Sequence, residues 1–190
     1  MRNIKGVAGF CALMLALACG GGGGGASSPA APVTTWASTL AYTDPSGGGF
    51  RFVKNSTLSS PARLVLDLVG PTGQNGQGVA FILMTDASKV SWAQPPSSPG
   101  LVQNLAFNLG GGTPAQVGLD KGGGVLQGAI FQKSGSLALG QPLARVCLAL
   151  KANAVNVNTS IGFTFTAGNI LSDTGAVTPL SITTGSLLAQ

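Results

Sequence analysis

Histidine and glutamate are both missing from these 190 residues, and charged residues of any kind make up only 8%. Without histidine, Ser-His-Asp and Cys-His nucleophilic arrangements are excluded. Zinc and iron ligation go with them. The five carboxylates are all aspartates: Asp44, Asp67, Asp86, Asp120 and Asp173. They stand singly and mostly in turn-like stretches, where aspartate serves local backbone hydrogen bonding. A glycosidase needs two carboxylates converging at about 5–9.5 Å, so an enzyme working on aspartate alone is the remotest reading. Calcium takes oxygen ligands, but no D-x-D/N-x-D/N run is present. The expectation is a non-catalytic protein with no cofactor and no bound metal.

Cysteine is almost as scarce. Cys11 lies within the first nineteen residues, Cys19 ends them, and Cys147 stands alone. A disulfide scaffold is therefore excluded, and stability must come from packing. Cys147 shares a strand face with Arg145 and Lys151, a setting that would favour thiolate in a partly exposed cysteine; the expectation is instead an inert half-buried thiol acting as a small hydrophobe. The ten Lys and Arg do not cluster. Arg51, Lys54, Arg63, Lys89, Lys121, Lys133, Arg145 and Lys151 are spread singly, so nucleic acid is not an expected partner. The high pI reflects scarce acids.

No apolar run is long enough to span a bilayer, but one is placed to direct export. Arg2 and Lys5 precede the apolar stretch Val7 to Leu17, and Leu17-Ala18-Cys19 is a junction of small residues. The pattern resembles a bacterial lipoprotein signal, residues 1–18, with lipid carried on Cys19. Ala16-Leu17-Ala18 also reads as an ordinary A-x-A cleavage site, and both readings start the mature chain at Cys19. Residues 19–32, with Gly20 to Gly25 followed by Ala26-Ser27-Ser28-Pro29-Ala30-Ala31-Pro32, form a tether. The expected setting is the bacterial cell envelope outside the cytoplasm, with Gly20 after the cysteine compatible with outer-membrane sorting in a diderm. About 170 mature residues suit one domain, residues 33–190.

What fills that domain is period-two alternation broken by Gly and Pro. The alternation predicts strands at Thr34–Tyr42, Phe50–Lys54, Arg63–Val69, Val79–Thr85, Val90–Trp92, Leu101–Leu109, Gln116–Leu119, Val125–Gln132, Leu143–Lys151 and Ser160–Thr166, with shorter pieces at Ala154–Val157, Asn169–Leu171 and Leu180–Thr183. Leu64, Leu66 and Leu68 fall on one face of their strand, as do Val146, Leu148 and Leu150 of another. Val79 to Met84 is apolar on both faces, which predicts a central strand covered on its second side. The fold class is all-β, a sandwich.

Several ordered segments carry a resemblance. Arg63 to Gly70, a glycine-rich turn, then Val79 to Thr85 running into Asp86-Ala87-Ser88-Lys89-Val90 is similar to paired strands and a D-x-S-K turn of the cohesin-like branch of the carbohydrate-binding-domain superfamily. Gly140 to Ala152, and the closing stretch from Asn169 through Asp173 and Gly175 to Leu187, resemble later segments of that family. The resemblance implies a single jelly-roll sandwich of about nine strands whose relatives recognise a protein or a polysaccharide. It places no binding residue on this chain. From the residues themselves, Trp36, Tyr42 and Trp92 are the ligand-binding candidates, because sugar-binding surfaces use flat aromatic faces with polar edges. Burial of Trp92 and Trp36 in the sandwich is the competing expectation. Two further readings stand beside a lipid-anchored binding module: an envelope assembly subunit that pairs an exposed sheet edge with a neighbour, and the aspartate-only glycosidase.

Overall fold

The computed structural model of the protein describes residues 35–108 and 115–190. The export signal, Cys19, the tether and the turn at Gly110-Gly111-Gly112 lie outside the described residues. Within them the chain is all-β, with fifteen strand segments in three sets of pairings.

The first layer has the order β14-β2-β3-β10-β5, with β6 also paired to β10. Its strands are β2 (Phe50–Lys54), β3 (Arg63–Val69), β5 (Val90–Ala93), β6 (Val102–Asn104), β10 (Pro142–Leu150) and β14 (Ile182–Thr183). The second has the order β13-β12-β4-β8-β7, with β9 paired to β4. It comprises β4 (Asn75–Thr85), β7 (Gln116–Asp120), β8 (Val125–Phe131), β9 (Leu137–Ala138), β12 (Phe163–Ser172) and β13 (Val177–Pro179). A small third set joins β1 (Leu40–Thr43), β15 (Ser186–Ala189) and β11 (Thr159–Ile161).

Alternation builds the core. Leu64, Leu66 and Leu68 of β3 and Val146 and Leu148 of β10 are fully or almost fully buried, and so are Val79, Phe81 and Leu83 of β4 with Leu126 and Ile130 of β8. An aromatic cluster joins the layers. Phe163 of β12 meets Tyr42, Phe52 and Trp92 edge-on at centroid distances of 6.1, 6.0 and 6.3 Å, and Phe52 meets Phe81 at 5.7 Å. These are the offset geometries that an aromatic quadrupole favours. Gly128 of β8 makes room for one of them: a Cβ there would lie 2.4 Å from the Phe81 ring.

The strand segments outnumber the expected nine for local reasons. Gly162 separates β11 from β12, and β5 and β6 run along successive stretches of β10, as two pieces of one interrupted strand. The expected strand Thr34–Tyr42 shortens to β1, with Trp36 making only an isolated bridge to Asn156. Ala154–Val157 forms no strand beyond that bridge. Near it the last residue closes on the first strand: Ser38 and Thr39 N–H donate to Gln190 O at 2.8 and 2.7 Å, and Gln190 N–H donates to Thr39 O at 2.9 Å.

Candidate functional site

The two layers differ on their outer faces, the first being largely covered and the second open to solvent. On the β3–β10 side the outward residues include Arg63, Asp67, Arg145 and Cys147. Arg145 and Asp67 are direct neighbours across the strands and form a two-pronged ion pair, Nε to Oδ1 at 2.6 Å and Nη2 to Oδ2 at 3.0 Å. Asn55 Nδ2 donates to the same Asp67 Oδ2 at 2.9 Å. Cys147 is fully buried, deeper than the expected half-buried position. Its sulfur lies 3.9 Å from Arg63 Nη2, which also donates to Gln94 O at 2.6 Å, so the arginine lies against the thiol. Burial pushes the thiol pKa up, outweighing the arginine's opposite pull. The inert reading of Cys147 holds.

The β4–β8–β12 side carries no charge. Asn75–Thr85, Val125–Phe131 and Phe163–Ser172 contain no Asp, Lys or Arg. Register sets their outward side chains in rows across the sheet. Thr164, Met84 and Val125 are neighbours; so are Ala167, Ile82, Gln127 and Leu119, and then Asn169, Ala80, Ala129 and Val117. Of the five large hydrophobic side chains exposed among the described residues, four lie here: Met84 at 48%, Val117 at 48%, Leu119 at 47% and Val177 at 67%. This overturns the expectation that Val79–Met84 is covered on both sides: β4 alternates, with Val79, Phe81 and Leu83 inward and Ala80, Ile82 and Met84 outward. Small side chains at Ala80, Ala129 and Ala167 leave a shallow depression of about 140 Å³ in this face, edged by Ile82, Gln127 and Asn169. Gln127 and Asn169 give it amide donors and acceptors, while the alanines give it an apolar floor.

The aromatic candidates do not come together. Tyr42 and Trp92 are buried at 9% and 7% exposure. Tyr42 Oη donates to Phe52 O at 3.1 Å and accepts Gly185 N–H at 2.6 Å, and burial pushes its pKa up to about 12. Trp92 Nε1 donates to Gly124 O at 2.9 Å, tying β5 to the turn between β7 and β8. Both rings pack on Phe163, where no ligand reaches them in this conformation. Trp36 alone is exposed, at 47%, contrary to the expectation that it packs the first strand onto the sandwich.

The D-x-S-K turn is built by its aspartate. Asp86 Oδ1 accepts Ser88 N–H at 3.0 Å and Ser88 Oγ–H at 2.5 Å, and Asp86 Oδ2 lies 2.8 Å from Lys89 Nζ. The Lys89 and Ser88 hydrogen bonds hold the Asp86 carboxyl down at about 2. Its role is to turn the chain from β4 into β5. Among the described residues, no three Asp or Cys side chains lie where they could share a metal ion.

The apolar face was not singled out in the sequence, although a signal for it existed. Three strands without one ionisable residue, in a chain whose β2, β3 and β10 each carry an arginine, mark one face as different. What the sequence does not give is the strand order that makes those three segments neighbours.

No protein-family model matches the chain, and no curated protein matches it in sequence. Solved structures match it in fold. The sixth cohesin of scaffoldin B from Acetivibrio cellulolyticus, crystallised in complex with a mutant Cel5 dockerin, has a TM-score of 0.53 at 13% identity, covering 72% of this chain and 96% of that one. The type II cohesin dyad of the ScaA scaffoldin from the same organism also gives 0.53, at 14% identity, over 75% of this chain and 48% of the dyad. A type II cohesin domain from the A. cellulolyticus cellulosome gives 0.52 at 14% identity, over 74% and 94%. At such identities it is the path of the backbone that is shared. The described residues form a β-sandwich with the cohesin fold.

Proposed function

We propose that this chain is a non-catalytic module that binds a protein partner through the uncharged outer face of β12, β4, β8 and β7, held outside the cytoplasm by lipid on Cys19. The observation that carries the reading is that, among the described residues, four of the five exposed large hydrophobic side chains lie on that face or on β13 at its margin. Exposed apolar side chains grouped on one uncharged face are a mark of an interaction surface. A fold neighbour crystallised in complex with a dockerin points to a protein as the class of partner. The export signal supports the location, and its cysteine, followed at once by glycines, supports the anchor.

The test is capture from envelope extract by the full chain, compared with Ile82→Lys and Ala129→Arg, which place charge on half-exposed positions of the face. Loss of a protein partner in both variants, with circular dichroism unchanged, supports the reading. Equal capture by all three overturns it. Anchoring is read separately by incorporation of labelled fatty acid, which Cys19→Ser abolishes.

A second reading, polysaccharide recognition, is favoured by one observation: Trp36, whose backbone bridges to Asn156, keeps nearly half its surface exposed. A glycan captured by the wild type and lost in Trp36→Ala would select it.

A further inference from the structure

The β7 edge closes one side of the uncharged sheet, and we infer that it pairs with the same edge of a second copy of this chain, antiparallel about a two-fold axis at Gly118. Among the described residues β7 pairs with β8 alone. Lys121 N–H donates to Val125 O and Phe131 N–H to Ala115 O, each at 2.9 Å, one pair at either end of the strand. Hydrogen-bonded and non-hydrogen-bonded pairs alternate in an antiparallel ladder, so Val117 and Leu119 exchange bonds with β8. Gln116, Gly118 and Asp120 therefore turn their N–H and C=O outward.

Gly118 is exposed, and in a glycine that exposure is backbone. Its inner side rests on Val102, where a Cβ would lie 2.8 Å from the backbone nitrogen, so its exposed backbone is reached from the edge and the outer face. The other end strands of the two layers are guarded: β13 contains Pro179, β5 runs into Pro95-Pro96, and β14 is two residues long. β7 is five residues with no proline, no lysine and no bulge, the kind of edge that accepts another strand.

The register is self-complementary. Folding β7 about Gly118 sets Gly118 against Gly118 of the second copy and Gln116 against its Asp120, all in hydrogen-bonded positions that use the outward amides. Val117 then faces Leu119 of the second copy in the closer, non-hydrogen-bonded positions, on the solvent side of the sheet. No two aspartates meet. A slip of one residue would put Val117 and Leu119, whose amides are already used, at the bonding positions. The paired copies would share one sheet and one continuous uncharged face.

The experiment is sedimentation of the full chain in mild detergent across about a hundredfold range of concentration, with amide exchange read at Gly118. The wild type should dimerise, and Gly118 exchange should slow as concentration rises while Val117 and Leu119 stay protected throughout. Val117→Lys with Leu119→Lys, which sets lysines opposite one another, should raise the dimer dissociation constant at least about tenfold. Met84→Lys, on the same face but two strands away, should leave the dimer intact while testing partner capture on its own. A chain that stays monomeric, or a dimer that survives the paired lysines with Gly118 exchange unchanged, overturns the inference.

Discussion

Asp67 and Arg145 face each other across β3 and β10 as a two-pronged ion pair whose side chains keep only 8% and 15% of their exposure. Charges so far out of water depend on each other. Removing one leaves the other desolvated and unpaired, at a cost of about 3 kcal/mol. Asp67→Ala should therefore lower stability by about that amount in urea denaturation, Arg145→Ala by a similar amount, and the double variant by clearly less than the sum.

Phe163 touches three of the other core aromatics, so truncating it empties the middle of the sandwich. Phe163→Ala should cost about 3–5 kcal/mol, whereas Trp36→Ala should stay within about 0.5 kcal/mol of the wild type. Denaturant midpoints of the two variants check both.

The two tryptophans should be separable by fluorescence. Trp92 is buried with its indole N–H on Gly124 O, and Trp36 is half exposed. Trp36→Phe should leave emission that is blue-shifted and resistant to acrylamide; Trp92→Phe should leave emission that is red-shifted and readily quenched. The second substitution also strands the Gly124 carbonyl, a loss of about 1–3 kcal/mol.

Stability should be level through the middle of the pH range and fall at both ends. Tyr42 titrates near 12 in the fold against 10.0 ordinarily, so its contribution is complete below pH 10 and is lost as pH rises toward 12. Asp86 titrates near 2 against 3.8, so its contribution is complete above about pH 4 and is lost as pH falls through 2. Histidine and glutamate, which would titrate between, are missing. As Tyr42 is the only tyrosine, its phenolate absorbance reports the alkaline limb directly, and Tyr42→Phe should flatten that limb.

Cys147 should be silent toward thiol reagents until the sandwich opens. It is fully buried, and burial raises its pKa. Reaction with a chromogenic disulfide should follow the unfolding transition in denaturant rather than precede it.

The sequence announces the strands in which large apolar residues alternate. Phe50–Lys54 is read to the residue because phenylalanine alternates with Arg51 and Val53 before an exposed Lys54, and Arg63–Val69 because Leu64, Leu66 and Leu68 alternate, although its other side, with Val65 and Asp67, is buried as well. It hides the outer side of β4, because Ala80, Ile82 and Met84 are as apolar as the core residues between them, and composition does not separate a buried face from an exposed one. It hides β15 for a similar reason: Ser186–Ala189 is too short to alternate visibly, and only its pairing with β1 and β11 makes it a strand. Trp92 and Tyr42 look alike as sugar platforms until their hydroxyl and indole groups are seen spent on Phe52, Gly185 and Gly124.

The mutual hydrogen bonds of Thr39 and Gln190 carry a mechanical consequence. Leu40 pairs with Ala189 and Thr43 with Ser186, so β1 and β15 run antiparallel with those bonds at their outer end. A pull between Thr35 and Gln190 would open that ladder like a zip, one rung at a time, rather than shear all its rungs together. A module loaded that way yields at low force, and single-molecule pulling between Thr35 and Gln190 would read that force.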